Sequence, residues 1–403
     1  MTSTHQRHPS RSKRAAAGTS LLALGLAAAL TASPAAFAET TIWADEAGRS
    51  VTLGAGLRTS FTAVEDGASN ESSYSKDFEV DSIRLYLNGQ LLPYLGFTFN
   101  TERDAGGSIE LLDLLVRFEP HDLFNVWGGR LLPPTDRSNL SGPYFLGAWT
   151  FPIVQAYPSE FVGRDDGIAV WGQVNGGAFK YQVGAFEGFN RRVTSFDAEG
   201  QPNFDVDGNV VSANPNSSDN LLYAGRLTMN LWDPEPGYYN ASTYYGAKDI
   251  LAIGLTGQYQ KDATGVLEAD GGFSDKGDFT AWSVDFLMER ALSDGGVVTL
   301  EAAYYDYDYD GIPDPDFGFE GDGYFVLGSY MFPQVVGIGQ FQPQVRYQEL
   351  DDDNGPKRER LEGGLNYIMN GYNAKASLVA GRDKERSGGS SNNFFIVGVQ
   401  LQM

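Results

Sequence analysis

The chain has 403 residues, 52 acidic against 29 basic side chains, a formal charge of −23 at pH 7, no cysteine and 13% aromatic residues. An acidic balance of that size excludes nucleic acid as a partner, because the phosphate backbone selects basic patches, and the lack of cysteine excludes a disulfide framework. Beyond the first residues no apolar run approaches the roughly 20 residues that a membrane-crossing helix needs.

Residues 1–38 read as an export signal. Arg7, Arg11, Lys13 and Arg14 form a basic start, Leu21 to Ala32 a short Ala-rich apolar run, and Ala36-Phe37-Ala38 the small-x-small pattern that a signal peptidase cuts. Cleavage after Ala38 removes four positive charges and no acid, which takes −23 to −27 for residues 39–403. An anchoring helix fits less well, since the apolar run is too short to span.

From there, period-2 alternation predicts sixteen strands: 51–63, 78–90, 93–103, 109–119, 124–132, 165–174, 178–187, 221–231, 249–260, 279–290, 297–307, 321–331, 338–348, 359–369, 372–382 and 392–403. An even number returns both ends to one side of a membrane, as bacterial barrels require. The connections alternate too. Tight links at Gln90–Pro93, Asn175-Gly176-Gly177, Asp294-Gly295-Gly296 and Asn370-Gly371 fall on one side, and long polar stretches at 133–163, 188–220, 261–278 and 308–320 on the other. Trp232 to Lys248 is an exception, a long link on the short-turn side. In the last strand Phe395, Val397, Val399, Leu401 and Met403 alternate with polar partners up to the terminal residue, resembling the signature read by outer-membrane insertion machinery, although an aromatic usually ends it. The expectation is an all-β chain: an export signal, then a transmembrane antiparallel barrel over 39–403 in the bacterial outer membrane, contacting its lipid.

Three segments carry a family resemblance: FEVDSIRLYLNGQLLPYLGFTFNTE (78–102), LLDLLVRFEPHDLFNVWGGRLLPP (111–134) and GRDDGIAVWGQVNGGAFKYQVGAFEG (163–188). They resemble the phosphate-selective porins O and P. The resemblance implies a sixteen-stranded, usually trimeric barrel whose third outer loop folds inward as a constriction, and 133–162 matches that loop in position and length. Its charged residues are Asp136, Arg137 and Glu160. It contains no lysine, where the phosphate-specific members are expected to place lysines, so a general small-solute channel fits at least as well.

In such a barrel the apolar face of each strand meets lipid and the polar face lines the pore. Leu53, Ala55 and Leu57 outward put Arg58 inward; Ile83, Leu85 and Leu87 do the same for Arg84, Leu114, Val116 and Phe118 for Arg117, and Phe179, Tyr181 and Val183 for Lys180. Arg226, Arg346 and Lys375 follow the same rule, and Arg130 is counted with them. That makes eight inward cations against five inward acids, Glu102, Asp113, Asp285, Glu301 and Glu362, while the acidic excess sits in loops. The lining then leans positive and favours small anions, phosphate among them, since arginine never deprotonates and presents a fork of donors to oxyanions. The bland alternative is that these cations balance lumen acids in a structural network, as Arg117 could with Asp113.

Other features have plainer accounts. Asp306, Asp308, Asp310, Gly311 and Asp314 resemble the start of a calcium loop, but its twelfth position is Phe317 where a bidentate Glu is needed, so a solvated acidic loop fits better. Trp232, Tyr238, Tyr239, Tyr244 and Tyr245 suit an aromatic belt at the membrane interface, with a sugar-stacking site as the sharper option. His121, the one histidine outside the leader, lies in a short turn, which leaves no basis for a hydrolase triad or a zinc site. No enzymatic chemistry and no cofactor are expected. A closed structural or adhesin barrel and a secreted all-β carbohydrate-binding protein remain alternatives.

Overall fold

A computed structural model describes residues 39–103, 107–155, 163–197, 201–312, 320–385 and 391–403; the leader lies outside these. Sixteen antiparallel strands close on themselves. The first five are β1 (Ser50–Val64), β2 (Asp77–Leu92), β3 (Leu95–Arg103), β4 (Ile109–His121) and β5 (Phe124–Leu131). Then come β6 (Asp165–Val174), β7 (Phe179–Phe186), β8 (Leu222–Asn230), β9 (Ile250–Leu267), β10 (Phe273–Ala291) and β11 (Val297–Asp308). The last five are β12 (Gly321–Met331), β13 (Gly339–Asp352), β14 (Arg358–Asn370), β15 (Ala374–Glu385) and β16 (Ser391–Gln402). Two short strands, Glu39–Ala44 and Val335–Val336, add to β1 and β13. The seam is β16 on β1, where Arg58 pairs with Gln400 and Leu57 with Leu401. Closure leaves the sixteen strands without an open edge, the condition for a sheet whose backbone must satisfy itself away from water.

Alternation follows from which solvent each face meets. In β16, Phe395, Val397, Val399 and Leu401 are exposed on the outer face while Gln400 and Gln402 are buried on the inner one. That inversion of the soluble pattern repeats around the wall, with Leu53, Leu85, Leu227, Leu255 and Val345 all exposed. Outward aromatics gather at both ends of the strands. Trp282 with Tyr304 and Tyr324 with Tyr347 lie near the long-loop end, Tyr330 with Phe332 and Phe341 with Tyr367 near the short-turn end. Such paired belts suit the two interfaces of a bilayer.

All sixteen strands fall where alternation puts them, but some ends do not. The stretch 261–278, expected as a polar loop, is mostly strand: β9 and β10 stay paired to Leu267 and Phe273 past a register shift between Gln260 and Thr264. Asp306 and Asp308 lie in β11, and Glu349 to Asp352 continue β13; Asp314 and Phe317 lie outside the described residues.

Nor is the interior uniformly polar. Trp127, Leu131, Trp171, Phe279, Tyr305, Tyr307 and Phe325 on β5, β6 and β10–β12 face inward and form one buried cluster with Leu132, Leu140, Val154, Phe189 and Tyr238 from the connections. Connections that cover part of the inner wall keep that part dry, so apolar residues there are stabilised by burial as in any core. The opposite wall, β13 to β4, carries the inward Arg58, Arg84, Arg346, Lys375, Asn366 and Gln400.

Candidate functional site

Of the eight cations assigned to the lining, Arg58, Arg84, Arg117, Lys180, Arg226, Arg346 and Lys375 lie on inward faces. Arg130 does not. It pairs with Leu114, which is exposed, and its guanidinium lies 3.4 Å from Asp166 on the outer face. The reason is that Trp127 and Leu131 face the dry interior, so in β5 apolar residues mark the inner side.

Several inward cations are held by carboxylates of nearby strands. Arg84 meets Glu102 at 2.6 Å, Arg226 meets Asp285 at 2.5 Å and Arg346 meets Glu362 at 2.8 Å, all with both partners buried. Arg117 lies 3.5 Å from Glu119 and stays partly exposed. Arg58, Lys180 and Lys375 have no carboxylate within salt-bridge distance among the described residues; they donate to backbone carbonyls instead. Arg58 gives Nη2 to Trp149 O at 2.5 Å with its guanidinium 4.1 Å over the Trp149 ring. Lys375 Nζ reaches Leu146 O at 3.1 Å, and Lys180 Nζ reaches Gly237 O at 3.0 Å and the Asn240 side chain. Asp113, the remaining acid assigned inward besides Glu301, holds Arg164 at 3.1 Å.

Those carbonyls belong to two segments. The first, 132–155, is the described start of the connection from β5 to β6. A short helix α1 (Arg137–Ser141) is capped by Asp136, whose carboxylate accepts the Ser138 N–H at 3.0 Å. Downstream the chain crosses the inner faces of successive strands: Gln400 of β16 donates to Tyr144 O at 2.9 Å, Asn366 of β14 to Gly147 O at 3.2 Å, Arg346 of β13 to Thr150 O at 2.8 Å, and Gln348 accepts from Ile153 N at 2.8 Å. Two glycines make room. A Cβ on Gly56 would stand 2.7 Å from the Tyr144 ring and one on Gly398 2.4 Å from Trp149. Glu160 lies outside the described residues.

The second segment, 232–248, connects β8 to β9 at the opposite end. It was expected as an aromatic belt, but Tyr238 and Tyr244 are buried among inward residues, and only Trp232, under Arg290, keeps a large exposed surface. Glu289 of β10 accepts N–H groups from Tyr244 at 2.9 Å and Gly246 at 2.8 Å, and the Thr243 hydroxyl at 2.7 Å. Tyr238 stacks on Trp127 with centroids 4.7 Å apart and donates its hydroxyl to Leu132 O at 2.9 Å.

The segments also hold each other. Arg137 gives both terminal nitrogens to Glu235 at 2.7 Å and Nη1 to Ala241 O at 2.7 Å, while its backbone N–H reaches Asp285 at 3.2 Å. Burial pushes the Glu235 carboxyl up, but Arg137, with Lys180 and the Tyr244 hydroxyl, outweighs that and holds it at about 2. Burial likewise disfavours the Arg137 charge, and Glu235 and Asp285 more than restore it.

Parity could not have found Arg164 or Glu235 as members of this network, because both lie in connections, whereas Glu289 shares the inward parity of Asp285 on β10. One signal was available: an acid between two prolines, Pro234-Glu235-Pro236, in the one long link on the short-turn side. Among the described residues no group of His, Cys, Asp or Glu is arranged to hold a metal.

No family model matches the chain, and no curated protein sequence matches it. Solved structures do resemble it in fold. OmpF of Salmonella typhi, solved in complex with daunomycin, aligns with a TM-score of 0.55 at 11% identity, over 90% of this chain and 100% of that one. An anion-selective porin from Comamonas acidovorans gives 0.54 at 15% identity over 88% and 100%. OmpT of Vibrio cholerae, an outer membrane protein in its trimer form, gives 0.52 at 13% identity over 88% and 99%. At such identities the likeness establishes a porin-type barrel fold.

Proposed function

We propose that the chain is an outer-membrane channel for passive diffusion of small solutes, exported by its first 38 residues and working without a cofactor. The observation that carries this is the inside-out alternation of a closed sixteen-stranded wall: lipid-type residues outside, belts of aromatics at both ends, ionic and amide side chains within. A soluble all-β binding protein would leave that outer apolar surface in water at a cost proportional to its area.

Residues 132–155 serve in this reading as the element that narrows the lumen, with Asp136 and Arg137 at its start. Anion preference rests on arithmetic of the inner wall. Arg84, Arg226 and Arg346 are neutralised by their partners, and Arg58, Lys180 and Lys375 are the inward basic groups without a salt bridge among the described residues, set against the carboxyls of Glu289 and Glu301, which also lack one there; they act on a passing ion within a Debye length, about 8 Å at physiological salt. Phosphate is one of several small anions such a wall would pass, since 132–155 holds no lysine. Assembly as a trimer is carried over from the Vibrio cholerae protein's form.

The test is planar-bilayer recording of the purified protein under a KCl gradient. A reversal potential on the chloride side is expected. A potential on the potassium side removes the anion assignment, and absence of conductance in every condition removes the channel.

A further inference from the structure

Interior side chains that would line a waterway near the short-turn end of this barrel are dry. Lys180, Glu289, Lys375 and Gln400 have at most 1% of their surface exposed. Lys180 and Glu289 owe this to 232–248. Building on the channel reading above, we propose that residues 234–247 are a gate entering from the short-turn end, that the Arg137–Glu235 pair clasps this gate to the element narrowing the pore, and that conduction requires the clasp to part.

Three observations support it. The segment's base is anchored by the strand ladder and its body is not. The ladder between β8 and β9 continues through Leu231 N to Leu251 O at 2.8 Å and Asp233 N to Asp249 O at 2.9 Å, then stops. Between those anchors the chain turns at Gly237, Tyr245 and Gly246, all at positive φ, and makes no strand pairing. Beside the packing of Tyr238 on Trp127 and of Tyr244 among Ile250, Ala252 and Leu287, its hold on the wall is a set of hydrogen bonds with the side chains of Gln173, Lys180, Gln182, Glu289, Glu301 and Tyr372, which water can replace one by one as the segment leaves.

Second, the two segments meet through charge. Arg137 and Glu235 are both fully buried and bidentate, and Tyr244 donates to the same carboxylate. Removing one partner of such a pair strands the other, so the contact is strong when made and costly when half-made, a two-state arrangement. Third, the segments touch at their backbones: Ser242 N donates to Phe145 O at 3.1 Å, and the Ser141 and Ser242 hydroxyls lie 3.2 Å apart. Movement of 234–247 therefore frees one side of 137–145 as well.

The absence of cysteine from the chain permits a clean lock. A Ser141→Cys/Ser242→Cys protein has its two sulfurs where a disulfide needs only a small adjustment. Single channels of the oxidised form in planar bilayers are expected to stay closed, and adding dithiothreitol to the same bilayer to restore opening. Glu235→Ala is expected to raise open probability roughly tenfold or more, as loss of one partner of a buried ion pair implies. Should the oxidised protein, with its disulfide verified by mass, conduct as the reduced one does, the gate is overturned while the channel stands. Should neither the wild-type barrel nor a version with 235–246 replaced by Gly-Gly conduct, the channel reading falls and the gate with it.

Discussion

Arg226 and Asp285 meet at 2.5 Å although a whole strand separates them. Arg226 belongs to β8 and Asp285 to β10, and the bond passes over Gly254 of β9, where a Cβ would stand 2.2 Å from the Arg226 guanidinium and 2.6 Å from the Asp285 carboxylate. Gly254→Val should force both charges off their geometry in a filled interior, at a cost of about 1–3 kcal/mol, seen as a lower midpoint of the heat-induced mobility shift on gels. Gly257 on the outer face of the same strand has nothing within 4 Å of its would-be Cβ. Gly257→Val should leave the midpoint unchanged or raise it, because a strand glycine gives up more chain entropy than valine.

Charge selectivity should depend on unpaired cations and not on the number of arginines. The double change Arg84→Gln/Glu102→Gln removes a buried pair that already cancels, so the reversal potential under a KCl gradient is expected to stay within a few millivolts. Arg58→Gln and Lys375→Gln each remove a basic group without a salt bridge among the described residues, bonded to Trp149 O and to Leu146 O, and both should move the potential toward cations. A larger shift from the Arg84 and Glu102 pair than from Lys375 would contradict this division.

The seam predicts a role for the last residue. Met403 closes the ring through Ala55 N to Met403 O at 2.8 Å and Met403 N to Ala55 O at 2.9 Å, with its side chain exposed beyond Leu401 in the outward row of β16. Met403→Asp puts a charge where that row meets lipid, which is unfavourable, though less so near an interface than at mid-membrane. Fractionation should find less of the heat-modifiable protein in the outer membrane; wild-type levels would show that the terminal position is not read.

The wall of this barrel was legible because its period is 2 and both solvents are uniform over long stretches: every strand, and the facing of Arg58, Arg84, Arg117, Lys180, Arg226, Arg346 and Lys375, follows from parity. Parity fails where a strand no longer separates lipid from water. At β5 the inner side is apolar, because Leu132 and Tyr238 cover it, and Arg130 was assigned to the wrong face for that reason. The pairing of the lining was also hidden, since the bond from Arg226 to Asp285 depends on a glycine in between, and Arg137 to Glu235 joins residues 98 apart in connections with no period at all. The tyrosines at 238–245 read as a belt because amphipathic rings suit either a headgroup layer or a polar-lined interior, and composition does not separate the two.

The clasp makes a pH prediction with a definite sign. The Glu235 carboxyl sits at about 2 in the folded protein against an ordinary 4.5, so its pairing with Arg137 contributes fully above the ordinary value and is lost as pH falls toward the folded one. Open probability should therefore be flat from neutral pH down to about 4.5 and rise only between there and about 2, as protonation removes the charge that Arg137 holds. Glu235→Gln carries no titrating group, so its opening should be raised at neutral pH and should lack the acid step. Recording both proteins with symmetrical acidic buffers separates the clasp from other carboxylates. A step already complete by about pH 5, or one of equal size in Glu235→Gln, would assign acid opening to groups other than the clasp.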